Sequence, residues 1–97
     1  MSIIVFALPG SERIAQGLAG LLGAQSGHLA THRFPDGEAY VRLDSEVRGH
    51  QVVLACSLDR PDEKLLPLAF AAAAARELGA ARVGVVAPYL AYMRQDK

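Results

Sequence analysis

The sequence predicts an α/β domain, a mostly parallel sheet flanked by helices with an added antiparallel hairpin. Three observations carry that expectation. Three short and largely apolar runs, 3–7, 52–56 and 82–87, have the composition of strands covered on both faces. Segments of helical periodicity or composition stand between them. One stretch, 28–43, reads instead as two extended arms around Pro35-Asp36-Gly37, residues with strong turn chemistry.

The first run, Ile3-Ile4-Val5-Phe6-Ala7, is closed by Pro9-Gly10. Ser11 is placed to cap the helix that follows, in which Ile14, Leu18, Leu21 and Leu22 fall on one face, and Gly23 supplies the stop. In the second arm of the hairpin, Ala39, Val41 and Leu43 alternate with Tyr40, Arg42 and Asp44, so one face should be buried and the other wet. Arg48-Gly49-His50 breaks the chain before the second apolar run, Val52-Val53-Leu54-Ala55-Cys56. A helix is expected over 62–78 with Gly79 as its stop, and Pro67 should either kink its first turns or move its start later. The small residues Ala71 to Ala75 make this helix apolar on every side, which implies burial from more than one direction and a tendency to self-associate. The third apolar run, Arg82 to Ala87, leads into Pro88-Tyr89-Leu90-Ala91-Tyr92-Met93-Arg94-Gln95-Asp96-Lys97.

The 97 residues fit one domain, with no internal repeat, low-complexity tract or linker to divide them. Hydrophobic residues form 52% of the chain and aromatics 6%, with no Trp, so the core must be built mainly from aliphatic and Ala side chains. Ten basic and ten acidic residues cancel. That balance removes the electrostatic ground for nonspecific nucleic-acid or anionic-membrane binding, and neither is expected as a partner. Met1 runs straight into the first apolar run without a basic n-region, so no signal peptide is expected. The best membrane candidate, Leu65 to Leu78, is short and interrupted by Pro67, Arg76 and Glu77. The single cysteine, Cys56, reads as a buried small apolar residue, compatible with a reducing cytoplasm.

Ligands of such sheets bind beyond the carboxyl ends of the strands, which nominates Pro9-Gly10-Ser11, the loop from Ser57 to Asp62, and Pro88 onward. Phe34-Pro35-Asp36-Gly37-Glu38 places an aromatic face and two carboxylates around a turn; they could stack on a purine and accept hydrogen bonds from its amine, or form a solvated hairpin tip. Arg94-Gln95-Asp96-Lys97 has the groups of a phosphate or nucleotide site, or of an ordinary charged terminus. Pro9-Gly10-Ser11 at a helix start could offer N–H groups to an anion, although it is neither of the two familiar glycine fingerprints. His28, His32 and His50 lack partners at metal-ligand spacing, and no nucleophile with an adjacent base can be picked out, so neither metal ligands nor catalytic residues are assigned.

Taken together, Phe34-Pro35-Asp36-Gly37-Glu38, Val47-Arg48-Gly49 and the segment from Pro88 to Lys97 resemble the N-terminal domain of ribose-phosphate pyrophosphokinases, the phosphoribosyl-pyrophosphate synthetases. The resemblance implies one phosphoribosyltransferase-like half, over 1–97, of a cytoplasmic homo-oligomer. Its implied reaction moves the pyrophosphoryl group of Mg-ATP to the 1-hydroxyl of ribose 5-phosphate, giving phosphoribosyl pyrophosphate and AMP for nucleotide synthesis. By the same resemblance Phe34 stacks on adenine, Asp36 and Glu38 reach the base from a neighbouring subunit, and Arg94 and Gln95 line the ATP site from their own.

The resemblance also implies what these residues do not supply. In the family the metal-associated histidine, the flexible catalytic loop and the loop that grips ribose 5-phosphate lie downstream, so a chain ending at Lys97 is expected to be a truncated domain, inactive alone. Ala7-Leu8-Pro9-Gly10-Ser11 departs from the family's Ser-Gly-Asn loop, and Leu58-Asp59-Arg60-Pro61-Asp62 from its Asn-Asp form. Neither loop is carried over as a site. The alternative is a noncatalytic regulatory or associated relative that keeps the fold for oligomer contacts.

Overall fold

The computed structural model describes residues 2–33, 39–57 and 61–87. The elements run β1 (Ile3–Ala7), α1 (Glu12–Leu22), β2 (Gln25–Ser26), β3 (Leu29–Arg33), β4 (Ala39–Leu43), β5 (Gln51–Ala55), α2 (Pro61–Glu77) and β6 (Arg82–Val86). Four strands form one parallel sheet in the order β2-β1-β5-β6, and β3 pairs with β4 as a separate antiparallel sheet. The expected fold class is the observed one.

Strand alternation sends the side chains of the central strands to two different cores. Ile4, Phe6, Leu8, Val52, Leu54 and Cys56 meet Ala71 and Ala75 of α2, together with Leu43 of the hairpin and Val47. Val5, Val53 and Ala55 meet Ala15 and Ala19 of α1 on the other face. The strand order explains the split: α1 carries the chain from β1 outward to β2, α2 carries it from β5 outward to β6, and right-handed crossovers in opposite directions lie on opposite faces.

Several expectations need correction. The apolar stripe of α1 is only partly buried, with Leu21 86% exposed and Leu22 47%. Leu21 stands about 120° around the helix from Ala15, outside the arc that faces the sheet, and Leu22 is the last residue of α1. Pro67 does not delay α2, which starts at Pro61, where a missing N–H costs nothing. Nor is α2 buried from several directions, since Ala71 and Ala75 face the core while Leu65, Leu66 and Phe70 are exposed. β6 is half-buried instead of doubly covered, because among the described residues it has β5 as its one strand neighbour. The two-residue β2 was not foreseen. No helix among the described residues is long and apolar enough to cross a membrane.

Candidate functional site

The strand order reverses between β1 and β5, and a ligand crevice of an open α/β sheet forms at such a switch point, beyond the carboxyl ends. Here those ends are level, since the register pairs Ala7 with Ala55 and Ala55 with Val86. The loops nominated after β1 and β5 therefore start side by side, and the third, Pro88 onward, lies outside the described residues. Ladder bonding continues one step past the strands: Leu8 N–H donates to the Ala55 carbonyl at 3.0 Å, and Cys56 N–H to the Val86 carbonyl at 3.0 Å. Leu8 and Cys56 are both buried, so the floor beneath the loops is apolar.

The loop after β1 turns tightly, with Ser11 N–H donating to the Leu8 carbonyl at 2.9 Å and Gly10 at φ 87°, a conformation that favours glycine. Ser11 occupies the N-cap of α1 without making a side-chain cap. Its fully buried hydroxyl instead accepts a hydrogen bond from Ser57 N–H, 46 residues away, at 2.9 Å. Gly10 N–H points to the Glu12 carboxylate at 3.4 Å. A phosphate at this loop would meet that like charge, which counts against Pro9-Gly10-Ser11 as an anion cradle.

A cleft of about 190 Å³ opens on the α1 face, floored by Val5, Ala7 and Ala15 and rimmed by Glu12, Gln16, Ser26 and Gly27. Small floor residues leave this space. Gly27 is required here for another reason: a Cβ at this position would lie 2.5 Å from the buried ring of Phe6.

Of the motifs behind the resemblance, Val47-Arg48-Gly49 falls fully among the described residues and forms a joint leading into β5. Val47 is fully buried, Gly49 turns at φ 76°, and its N–H donates to the Gly79 carbonyl at 2.9 Å. The Arg48 side chain lies over Gly79, where an added Cβ would stand 3.3 Å from Arg48 Cγ.

At the base of the hairpin, Asp44 receives Arg42 Nε at 2.6 Å and faces His28 Nδ1 at 3.1 Å. The Arg42 hydrogen bond first, and the His28 bond second, hold the Asp44 carboxyl below its ordinary value. Spacing along the chain concealed the His28 partner. The hairpin register reveals it, since Leu29 pairs with Leu43 and the next pair outward is His28 with Asp44. His50 Nδ1 contacts the Arg48 carbonyl at 3.1 Å, and Cys56 is buried. The described residues contain no group of three or more His, Cys, Asp or Glu side chains able to hold a metal ion. Phe34, Asp36, Glu38, Arg94 and Gln95 lie outside the described residues, as do Leu58 to Arg60 of the second nominated loop.

Residues 3–97 match the family model described as the N-terminal domain of ribose phosphate pyrophosphokinase. A ribose-phosphate pyrophosphokinase of Saccharolobus solfataricus is 45% identical over 65 residues, covering 66% of this chain and 22% of the relative. That of Methanobrevibacter smithii is 37% identical over 87 residues, covering 90% and 29%. The crystal structure of phosphoribosylpyrophosphate synthetase from Mycobacterium smegmatis superposes with a TM-score of 0.83 at 26% identity, over 100% of this chain and 33% of that one. The chain thus spans at most about a third of the length of these relatives.

Proposed function

Because this chain belongs to the family of N-terminal domains of ribose phosphate pyrophosphokinase, we propose that the protein containing it transfers the pyrophosphoryl group of Mg-ATP to the 1-hydroxyl of ribose 5-phosphate, giving phosphoribosyl pyrophosphate and AMP. The observation that carries the reading is the family match over 3–97 on a sheet whose β1, β5 and β6 carboxyl ends stand level around a switch point. That arrangement suits a nucleotide crevice.

In this reading Phe34 stacks on adenine, Asp36 and Glu38 accept hydrogen bonds from the base in a neighbouring subunit of a homo-oligomer, and Arg94 and Gln95 line the ATP site of their own subunit. Mg²⁺ enters with ATP and neutralises phosphate charge; no ligand to it is assigned in this chain. Transfer of this kind depends on positioning and charge neutralisation, so residues 1–97 without the rest of the site are inactive. A single, buried cysteine is compatible with a cytoplasmic setting.

The test is AMP release from Mg-ATP and ribose 5-phosphate by the full-length protein, followed by chromatography. Turnover is expected, with Phe34→Ala raising the KM for ATP by about tenfold to a hundredfold, the range of a lost base-stacking contact. A full-length protein that binds ATP and releases no AMP overturns the reading in favour of a noncatalytic relative. For residues 1–97 alone, calorimetry is expected to find at most weak Mg-ATP binding, and tight stoichiometric binding to a monomer would contradict the shared site.

A further inference from the structure

We infer that Ser11 is a positioning residue, whose hydroxyl fixes the β1–α1 loop to the β5–α2 loop across the switch point and so sets the floor of the nucleotide crevice. This rests on the function proposed above. Three observations point to it. Ser11 stands at the N-cap of an eleven-residue helix, where a serine side chain ordinarily bonds the first-turn N–H groups, yet it makes no such bond. The hydroxyl is fully buried and spends its acceptor on Ser57 N–H at 2.9 Å. The same loop is also held to β5 through Leu8 N–H and the Ala55 carbonyl, so the side-chain bond adds a second point of attachment further out.

Two attachments do what one cannot. The Leu8 bond fixes where the β1–α1 loop begins, and the Ser11 bond, three residues on, fixes its orientation relative to the residues after β5. At a switch point the helices depart on opposite faces, so the connecting loops tend to diverge, and a bond across them fixes their separation. Rate in phosphoryl-type transfer falls steeply with misplacement of the reacting groups, and an error of about 1 Å can cost a hundredfold. Ser11 acts through the loops and need not touch substrate.

The experiment uses the full-length protein with Ser11→Ala, Ser11→Cys and Ser11→Thr. Cysteine keeps approximately the volume and weakens the acceptor, which separates the hydrogen bond from packing; threonine keeps the hydroxyl. Steady-state AMP release gives kcat and KM separately, thermal unfolding checks the fold, and amide exchange follows the peptide containing Ser57. The expected result is faster exchange at Ser57 and a fall in kcat of about tenfold or more for Ser11→Ala and Ser11→Cys, with Ser11→Thr recovering both readouts. Folded Ser11→Ala and Ser11→Cys proteins with wild-type kcat and KM overturn the role of Ser11. A wild type that releases no AMP overturns the functional reading instead, and wild-type exchange at Ser57 in Ser11→Cys would sink the latch whether or not the protein turns over.

Discussion

The two faces of the parallel sheet bury side chains of different bulk. On the α2 face the buried set includes Phe6, Leu8, Val52, Leu54 and Val47, with Leu43 of the hairpin closing over it. On the α1 face it is Val5 and Val53 with three alanines, Ala15, Ala19 and Ala55. Both helices meet the sheet through alanines, Ala71 and Ala75 on one face and Ala15 and Ala19 on the other, so the larger strand side chains and the hairpin make the difference. The smaller buried set on the α1 face fills less volume, and the cleft lined by Val5, Ala7 and Ala15 opens there. One sheet therefore supplies a heavily filled, or thick, side and a sparser, or thin, side that carries the cleft.

Substitutions can break that comparison, and the largest effect is expected at Phe6. Phe6→Ala removes a fully buried ring from the thick face and should cost about 3–5 kcal/mol. By urea titration that is a large share of the whole stability of a domain of this size, so Phe6→Leu provides a milder second point. Gly27→Ala comes next, at roughly 1–3 kcal/mol, because its Cβ would stand 2.5 Å from the Phe6 ring. The two changes should not add: in a Phe6→Leu background Gly27→Ala should cost clearly less, and full additivity would mean the ring is not what excludes the Cβ. Val53→Ala, on the thin face, removes two methyl groups and should cost about 1.5 kcal/mol. If it cost as much as Phe6→Ala, the two faces would be equivalent in energy and the comparison would fail.

The thick face was more legible in the sequence than the thin one. Continuous apolar runs announce β1 and β5, and Pro35-Asp36-Gly37 announces the hairpin, because burial on both faces and turn chemistry are local signals. Gln25-Ser26 carries no such signal: β2 exists because its backbone lies beside β1, and both residues are exposed. Leu21 and Leu22 looked like core because helical spacing alone does not say where the sheet ends. Gly27 reads as an ordinary loop glycine until the Phe6 ring is placed against it. At the candidate site, the carboxyl-end rule nominates the loops, and the chemistry of Ser11 suggests a cap. The bond it makes instead depends on which residue 46 positions later the fold brings near, which no local pattern encodes.

The smallest expected effect lies outside both cores, at the base of the hairpin, and it has a defined direction with pH. Asp44 is held below its ordinary pKa by the Arg42 hydrogen bond and, to a lesser degree, by His28, while in the unfolded chain it titrates at an unperturbed value. Between those two values the unfolded state binds more protons than the folded state. The stabilisation is therefore present in full above the unfolded pKa and is lost as pH falls through the folded one. Asp44→Asn should lower the urea midpoint slightly at neutral pH, and the difference from wild type should shrink on acidification until the curves meet. The ranking of partners gives a second check, by following the Asp44 carboxyl carbon with NMR: Arg42→Ala should raise its pKa more than His28→Ala does. Because these groups are exposed, added salt should weaken both shifts, whereas the cost of Phe6→Ala should hardly respond to salt. A salt-insensitive Asp44 effect would mean that this pair belongs with the buried faces and not with the solvated edge.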